Sequence, residues 1–160
     1  MEKNRLLDAC YKTAGLILLG TALVSCALPR IVVLRDPLTA EEHIDLGLIY
    51  EKNKEFDAAL KEYEAASPKL PIAFLYMGNI HFQRGEFDVA EKLYRKALDK
   101  TGNPHAYNNL AWLYYVSGRR LEEAETLAKK AVELSPDSED FKDTLAKIEE
   151  KRKGQVSPSR

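Results

Sequence analysis

Three histidines are the side chains that could bind a metal ion or act as a general base near neutral pH. His43, His81 and His105 lie too far apart in the sequence for the paired spacings of metal ligands. The adjacent carboxylates Glu122 and Glu123 would lie about 100° apart around a helix, so they cannot face each other as an acid/base pair. We therefore predict no catalytic residue, no metal site and no cofactor, and we expect the chain not to be an enzyme.

Cys26 is the residue for which the sequence predicts covalent chemistry. It ends the tetrapeptide Leu23-Val24-Ser25-Cys26, which resembles the bacterial lipobox at all four positions. A cysteine sulfur is a nucleophile that can form a thioether to a diacylglyceryl group, and a small Ser25 suits the cleft of a peptidase. The resemblance implies that Cys26 is lipidated and becomes the N-terminus of the mature protein.

An apolar run at residues 14–25 precedes this cysteine, and its start is surrounded by the basic residues Lys3, Arg5 and Lys12. The run is shorter than the ~20 residues that span a bilayer, and it matches the ~7–15 apolar residues of a secretory signal. We predict a lipoprotein signal peptide at 1–25, followed by a lipidated N-terminus and tether at 26–38.

The residue after the lipidated cysteine indicates which membrane holds the mature protein. Inner-membrane retention of such lipoproteins usually needs Asp after Cys26, so Ala27 implies the outer membrane, with the folded domain in the periplasm. The alternative is an uncleaved inner-membrane helix that runs to Leu34 and leaves the domain facing the cytoplasm, although Pro29 argues against it. Tether residues 31–34 are expected to pack on the first helix or else to pair with a partner's sheet edge.

The composition excludes several classes of partner. The 160 residues fit one modest domain plus accessory segments. Charged residues make up 31% and the net charge is −1, so no broad basic field exists to bind nucleic acid. Both cysteines, Cys10 and Cys26, precede the region that resembles a folded domain, so that domain has neither a disulfide framework nor a thiolate metal site.

Two short motifs recur at a period of 31–34 residues, the strongest indication of architecture. The first reads Leu46-Gly47-x-x-Tyr50, Met77-Gly78-x-x-His81 and Leu110-Ala111-x-x-Tyr114. The second reads Ala59-x-x-x-Tyr63-x-x-Ala66, Ala90-x-x-x-Tyr94-x-x-Ala97 and Ala124-x-x-x-Ala128-x-x-Ala131. The pattern resembles the tetratricopeptide repeat, which implies an all-α fold: a right-handed α-solenoid of three helix-turn-helix repeats plus a C-terminal capping helix.

Local signals place the helices within a domain at 39–153. Thr39-x-x-Glu42 is a capping box, and Gly85, Gly102 and Gly118 suit left-handed turns at helix exits. We predict repeats at about 40–70, 71–103 and 104–137, a capping helix at 138–152 and a disordered tail at 154–160. The predicted helices of the repeats span 39–53, 55–66, 71–84, 86–100, 104–117 and 120–134.

Glycine inside a helix indicates close packing, because it costs ~1 kcal/mol relative to alanine. Gly47 and Gly78 lie in the interior of predicted helices. We expect them to let two antiparallel helices approach closely, with Ala59 and Ala90 opposite. Tyrosines one turn away are expected to fill the core between successive helix pairs.

The first helix of each repeat has a second face, at i, i+4 and i+7, that core packing does not use. In tetratricopeptide proteins this face lines a concave groove. Asparagine amides can bond a peptide backbone, and rigid aromatics give burial at low entropic cost. The predicted groove consists of Leu75, Tyr76, Asn79, Phe82, Asn108, Asn109, Trp112 and Tyr115. Alternatively, some of the aromatics, Trp112 above all, pack against the tether or the capping helix.

The resemblance implies a protein or peptide partner rather than a small-molecule substrate. Some family members clamp a terminal carboxylate with cationic and asparagine side chains, but here Ile44 and His105 occupy the matching cationic positions. We therefore expect an internal peptide or a folded surface as ligand. The leading hypothesis is a membrane-anchored adaptor in the cell envelope; the alternatives are a cytoplasmic-facing module and an accessory subunit of an envelope peptidase or hydrolase.

Overall fold

The computed structural model describes residues 36–156. Predictions for the signal peptide, the lipidation of Cys26, most of the tether and residues 157–160 lie outside the described residues. Between 36 and 156 the chain forms seven helices and no strand, which confirms the all-α prediction. The helices are α1 Ala40–Lys52, α2 Phe56–Ala66, α3 Ala73–Gln83, α4 Phe87–Thr101, α5 Pro104–Ser117, α6 Leu121–Leu134 and α7 Glu139–Val156.

The helices pack as successive pairs, each joined by a short turn. α1 packs on α2, α3 on α4 and α5 on α6, while α2 meets α3 and α4 meets α5 between pairs. The last helix, α7, packs on α6 and α5, where it buries Phe141 and Ile148. This is the predicted solenoid of three helix pairs with a capping helix, in which each pair covers the apolar side of its neighbour.

Local side-chain chemistry explains where several helices begin and end. Thr39 and Glu42 form a reciprocal capping box, in which each side chain accepts a hydrogen bond from the other residue's backbone N–H. Asn103 caps α5 ahead of Pro104, whose missing N–H is not needed in the first turn. Gly102 ends α4 in the left-handed conformation at φ 59°. These boundaries were predictable because the signals are local.

Two boundaries differ from the prediction by more than one residue. The α-helix after Pro71 begins only at Ala73, because the preceding turn forms i→i+3 hydrogen bonds such as Phe74 N to the Pro71 oxygen. The predicted disordered tail is wrong at 154–156, since α7 continues to Val156. Arg152 there pairs with Glu125 of α6, and basic residues in a last helical turn favour the helix dipole.

The two interior glycines accommodate tyrosine rings. A Cβ atom added at Gly78 would lie 2.5 Å from Cε1 of Tyr94, and one added at Gly47 would overlap the ring of Tyr63. Both rings are buried in the core, as predicted. The atoms nearest to the added Cβ atoms belong to the tyrosines, while Ala59 and Ala90 are fully buried, and their position opposite the glycines stays a prediction.

A polar cluster around Glu91 joins the second and third helix pairs on the side of the second helices. The Glu91 carboxylate accepts hydrogen bonds from the Tyr114 hydroxyl at 2.7 Å, Arg120 at 3.0 Å and Arg95 at 3.2 Å. Burial would raise the pKa of this carboxyl, but the hydrogen bonds from Tyr114 and Arg95 and the charge of Arg120 outweigh it and hold the pKa below its ordinary value.

The cluster makes stability depend on pH. Because the pKa of Glu91 is lower in the folded chain than in the unfolded chain, its stabilisation is present above the unfolded value of ~4.3 and is lost as pH falls through the folded value. We expect Glu91→Gln to lower the free energy of unfolding by about 1–2 kcal/mol near neutral pH and to weaken the acid dependence. Urea unfolding at about pH 7 and about pH 3 measures both.

The exposed pair of Glu133 and Lys130 provides the control for that prediction. Glu133→Gln makes the same change of charge outside the cluster, and exposed ion pairs contribute little to stability. An acid dependence in Glu91→Gln as steep as that of the wild type would contradict the assignment.

Between residues 36 and 156, none of the helices combines the length and the apolar character that crossing a bilayer requires.

Candidate functional site

Three adjoining depressions follow the first helices of the pairs, and we call them together the groove. The central cavity has a volume of about 260 Å³ and is lined by Glu51, Asn79, Phe82, Gln83, Tyr94, Asn109 and Trp112. An N-terminal depression shares Glu51, Asn79 and Gln83 with it and adds Leu48, Lys52, Lys54, Phe56 and Tyr76. A C-terminal depression shares Asn109 and Trp112 and adds Asn108, Asp140, Asp143, Thr144 and Lys147. The shared residues make the groove continuous from α1 to α7.

Two asparagines on neighbouring repeats form a fixed amide pair in the central cavity. The Asn79 Oδ1 atom accepts hydrogen bonds from the Tyr94 hydroxyl at 3.0 Å and from Asn109 Nδ2 at 2.8 Å. Within residues 36–156, the Asn79 Nδ2 group and the Asn109 Oδ1 atom have no hydrogen-bond partner. The pair therefore presents one donor and one acceptor to a ligand, which is what a peptide backbone group requires.

The phenols beneath the cavity act as neutral donors. Burial, and then the charge of Glu51, raise the pKa of the Tyr94 hydroxyl far above its ordinary value. Burial and a hydrogen bond to Glu51 do the same for the pKa of Tyr63, whose hydroxyl donates to Glu51 Oε2 at 2.8 Å. Both hydroxyls stay protonated at neutral pH and hold Asn79 and Glu51 in place.

Aromatic side chains border the central cavity. The ring of Phe82 packs on Phe87 of α4, with ring centroids 5.5 Å apart. The indole of Trp112 stacks on Tyr115, with centroids 4.9 Å apart, and Lys147 Nζ of α7 lies 5.5 Å from the indole centroid. Both Phe82 and Trp112 are half-buried, so each is held by the fold and still offers surface to a ligand.

Six of the eight predicted groove residues line the groove. Asn79, Phe82, Asn109 and Trp112 line the central cavity, as the sequence predicted. Tyr76 lies in the N-terminal depression, stacked on the Tyr63 ring with centroids 5.2 Å apart. Asn108 lies in the C-terminal depression, and its buried Oδ1 atom has no hydrogen-bond partner among the described residues.

The other two predicted groove residues, Leu75 and Tyr115, lie outside the three depressions. Leu75 is only 5% exposed and belongs to the core, because its position in the repeat matches that of Ile44, which is also buried. Tyr115 lies against the capping helix: its carbonyl oxygen accepts a hydrogen bond from Lys151, whose ammonium lies 4.7 Å from the ring centroid. The alternative of packing against the capping helix thus holds for Tyr115, and for Trp112 only through Lys147.

Three residues of the central cavity were not predicted. Glu51 stands at the repeat position of Phe82 and Tyr115, so the repeat register was a signal that could have found it. Gln83 follows Phe82 and donates from Nε2 to Glu51 Oε1 at 3.3 Å. Tyr94 was assigned to the core, which is correct, but the ring also forms part of the cavity wall.

The histidines have individual structural partners. His43 Nδ1 lies 2.7 Å from Glu62 Oε2, and His81 Nδ1 lies 2.5 Å from Glu86 Oε2. His105 contacts the edge of the Phe141 ring. In the part of the chain that the structure describes, no three histidine, cysteine or carboxylate side chains come together in an arrangement that could hold a metal ion.

Comparison with known proteins connects this geometry to a family. Two family models, both described as tetratricopeptide repeat, match residues 43–67 and 75–139. An alignment of 99 positions to the human Protein O-mannosyl-transferase TMTC2 shows 33% identity and covers 58% of this chain and 12% of that protein. The chain thus spans about an eighth of this curated relative.

Solved structures of the same fold resemble the chain more completely. The first tetratricopeptide domain of Spaghetti (RPAP3), bound to the HSP90 peptide SRMEEVD, is 23% identical with a TM-score of 0.66, over 74% of this chain and 96% of that one. The human RPAP3 domain solved by NMR is 22% identical with a TM-score of 0.68, over 78% and 100%. A Parabacteroides merdae tetratricopeptide repeat protein is 21% identical with a TM-score of 0.64, over 75% and 48%.

One family accounts for the recurring glycine and tyrosine motifs, for the stacked helix pairs and for both matching family models. This chain belongs to the tetratricopeptide repeat family.

Proposed function

We propose that the groove binds an extended segment of a partner protein and that the chain acts as an adaptor rather than as a catalyst. The observation that carries the proposal is the fixed pair of Asn79 and Asn109 in the central cavity, with one unused donor and one unused acceptor. Half-buried Phe82 and Trp112 border the same cavity. At about 260 Å³ the cavity is smaller than the ~300–1,000 Å³ of typical small-molecule sites, which suits one side chain of a bound segment.

The ligand is expected to differ from the HSP90 peptide SRMEEVD that the RPAP3 domain binds. At the positions matching the family's clamp, Ile44 is 9% exposed in the core and His105 contacts Phe141. The Glu51 carboxylate lines the central cavity, where it would repel a terminal carboxylate. An internal segment of a partner is therefore the better candidate.

The mannosyl-transfer activity in the name of the human relative is not carried over to this chain. The matching stretch is 12% of that protein. The activity of the whole relative therefore does not transfer to this chain from so short a match. Binding accounts for the arrangement of the groove, and we propose no reaction.

The proposed setting of the adaptor is the cell envelope. The lipobox-like Leu23-Val24-Ser25-Cys26 supports lipidation at Cys26, with the folded domain held in the periplasm at the outer membrane. Lipid stabilises membrane attachment by ~0.8 kcal/mol per buried methylene, so two or three acyl chains hold such a domain firmly. The groove would then recruit an envelope protein for assembly or processing.

Labelling with palmitate tests the anchor. We expect the wild-type chain to incorporate labelled palmitate and to be shortened to the mature size, whereas Cys26→Ala does neither. A Cys10→Ala variant, which changes the other cysteine, should behave as the wild type. Mature size in Cys26→Ala, or the same labelling in both variants, would exclude lipidation at Cys26.

Site-specific photo-crosslinking tests the groove as a binding surface. A photoreactive phenylalanine analogue placed at Phe82 in the native host is expected to crosslink a discrete partner, and Asn79→Ala in the same chain should abolish the product. The control position is Leu134, an apolar residue that is 45% exposed on the second helix α6 and lines none of the three depressions. Equal crosslinking from both positions would contradict the proposal.

A further inference from the structure

The Glu51 carboxylate is the feature of the groove that the proposed function leaves unexplained. It lines the central cavity, and among the described residues it accepts hydrogen bonds only from neutral groups, the Tyr63 hydroxyl at 2.8 Å and Gln83 Nε2 at 3.3 Å. No lysine, arginine or histidine of residues 36–156 forms an ion pair with Glu51 within 4.0 Å. Lys52 and Lys54 border the neighbouring depression without reaching the carboxylate.

Two other partly buried carboxylates of the described chain have lysine or arginine partners. Glu91, with a side chain 16% exposed, pairs with Arg95 and Arg120. Glu125, 15% exposed, pairs with Lys129 and Arg152. Because a partly buried charge is unfavourable without a counter-charge, the cavity at Glu51 is electrostatically complementary to a cation that residues 36–156 do not supply.

The neighbours of Glu51 indicate the kind of cation. Phe82 and Trp112 line the same cavity, so a ligand there meets aromatic surface together with a carboxylate. A guanidinium stacks on aromatic faces and donates two parallel hydrogen bonds to one carboxylate, which an ammonium cannot do. A cavity of about 260 Å³ accommodates a single long side chain. The arrangement therefore fits arginine better than lysine.

We propose that the central cavity takes an arginine side chain from the bound partner segment, with its guanidinium on Glu51 and its aliphatic stem against Phe82 and Trp112. The inference rests on the proposed function, because it specifies the residue that the groove selects in a bound segment. Asn79 and Asn109 would bond the backbone beside that arginine.

The first step of the test is selection of peptides from a random phage-displayed library on the purified full-length chain. Peptides that depend on Trp112 and Asn79 for binding are expected to share an arginine at one fixed position. The best peptide and its Arg→Gln form are then titrated against the wild type and Glu51→Gln. Glu51→Gln keeps an oxygen that can accept a hydrogen bond from the Tyr63 hydroxyl. Circular dichroism checks that the variant is folded.

We expect the effects of removing the peptide's arginine and of replacing Glu51 to be coupled. Loss of the arginine should weaken binding by about tenfold or more on the wild type, as expected for a charge-assisted hydrogen bond, and much less on Glu51→Gln. The control Glu64→Gln makes the same charge change at an exposed residue outside the groove and should behave as the wild type.

The contradicting outcomes separate the two proposals. Selected peptides that bind in the groove without a basic residue, or an arginine effect that is equal on the wild type and Glu51→Gln, would overturn the arginine site and leave the binding function standing. A requirement for lysine in place of arginine would also overturn it as stated. If no selected peptide depends on Trp112 or Asn79, the proposed function fails as well.

Discussion

Replacing Tyr94 with alanine is expected to lower the free energy of unfolding by about 3–5 kcal/mol. The ring is 2% exposed and fills the space above Gly78, so its removal leaves a cavity between the helices of the second pair. The hydroxyl also donates to Asn79. Tyr94→Phe keeps the ring and loses only that hydrogen bond, so it should cost about 1 kcal/mol. Urea unfolding of the purified chain gives both values.

The same contact predicts how Gly78→Ala behaves. In the wild type the new methyl group would lie 2.5 Å from Tyr94 Cε1, and the overpacking should cost about 1–3 kcal/mol in spite of alanine's better helix propensity. In the Tyr94→Ala background the ring is absent, so Gly78→Ala should be neutral or stabilising. The double-mutant cycle measures this coupling.

Gly154 offers a matched control, because it is helical and has open space where a Cβ atom would be added. Gly154→Ala should not destabilise the chain in either background. Additive effects of Gly78→Ala and Tyr94→Ala would show that the ring is not what requires glycine at this crossing.

Trp112→Ala is expected to weaken binding of a groove ligand by about 2 kcal/mol or more, which is roughly a thirtyfold rise in Kd. Trp112 lines both the central cavity and the C-terminal depression, so one substitution removes aromatic surface from two parts of the groove. Tryptophan is also typical of the few residues that dominate binding interfaces. Calorimetric titration with a library-selected peptide measures the change in Kd.

The control for Trp112 is Val116, one turn further along α5. Val116 is 45% exposed and lines none of the three depressions, so Val116→Ala should leave the Kd unchanged. Unfolding measurements on both variants separate loss of binding from loss of fold. Unchanged affinity in a folded Trp112→Ala would remove this residue from the binding surface.

The helices could be predicted well because their signals lie within a few residues of each boundary. The capping box at Thr39 and the left-handed turns at Gly85, Gly102 and Gly118 each act locally, and the repeat period fixes the order of the pairs. The end of α7 was missed because Gly154 is unfavourable inside a helix, so the prediction ended before it.

The groove was predicted less completely, because helical spacing fixes which residues share a face but not the rotation of that face against its neighbours. Leu75 shares a stripe with Asn79 and Phe82, yet the packing turns it into the core. Tyr115 lies under Lys151 because α7 crosses there, a contact that no repeat motif encodes. Glu51 was not predicted because the matching face of the first repeat carries no asparagine, although its register matches Phe82.

The central claim is that the first helices, and not the second helices, form the binding surface. Solution NMR of the full-length chain tests it directly, because the side-chain amides of Asn79 and Asn109 and the indole N–H of Trp112, the only tryptophan of the sequence, give resolved signals. On titration with a library-selected peptide, we expect these three signals to shift while the backbone amides of α2 and α6 stay in place. Shifts confined to α2, α4 and α6, with Asn79, Asn109 and Trp112 unmoved, would contradict the account.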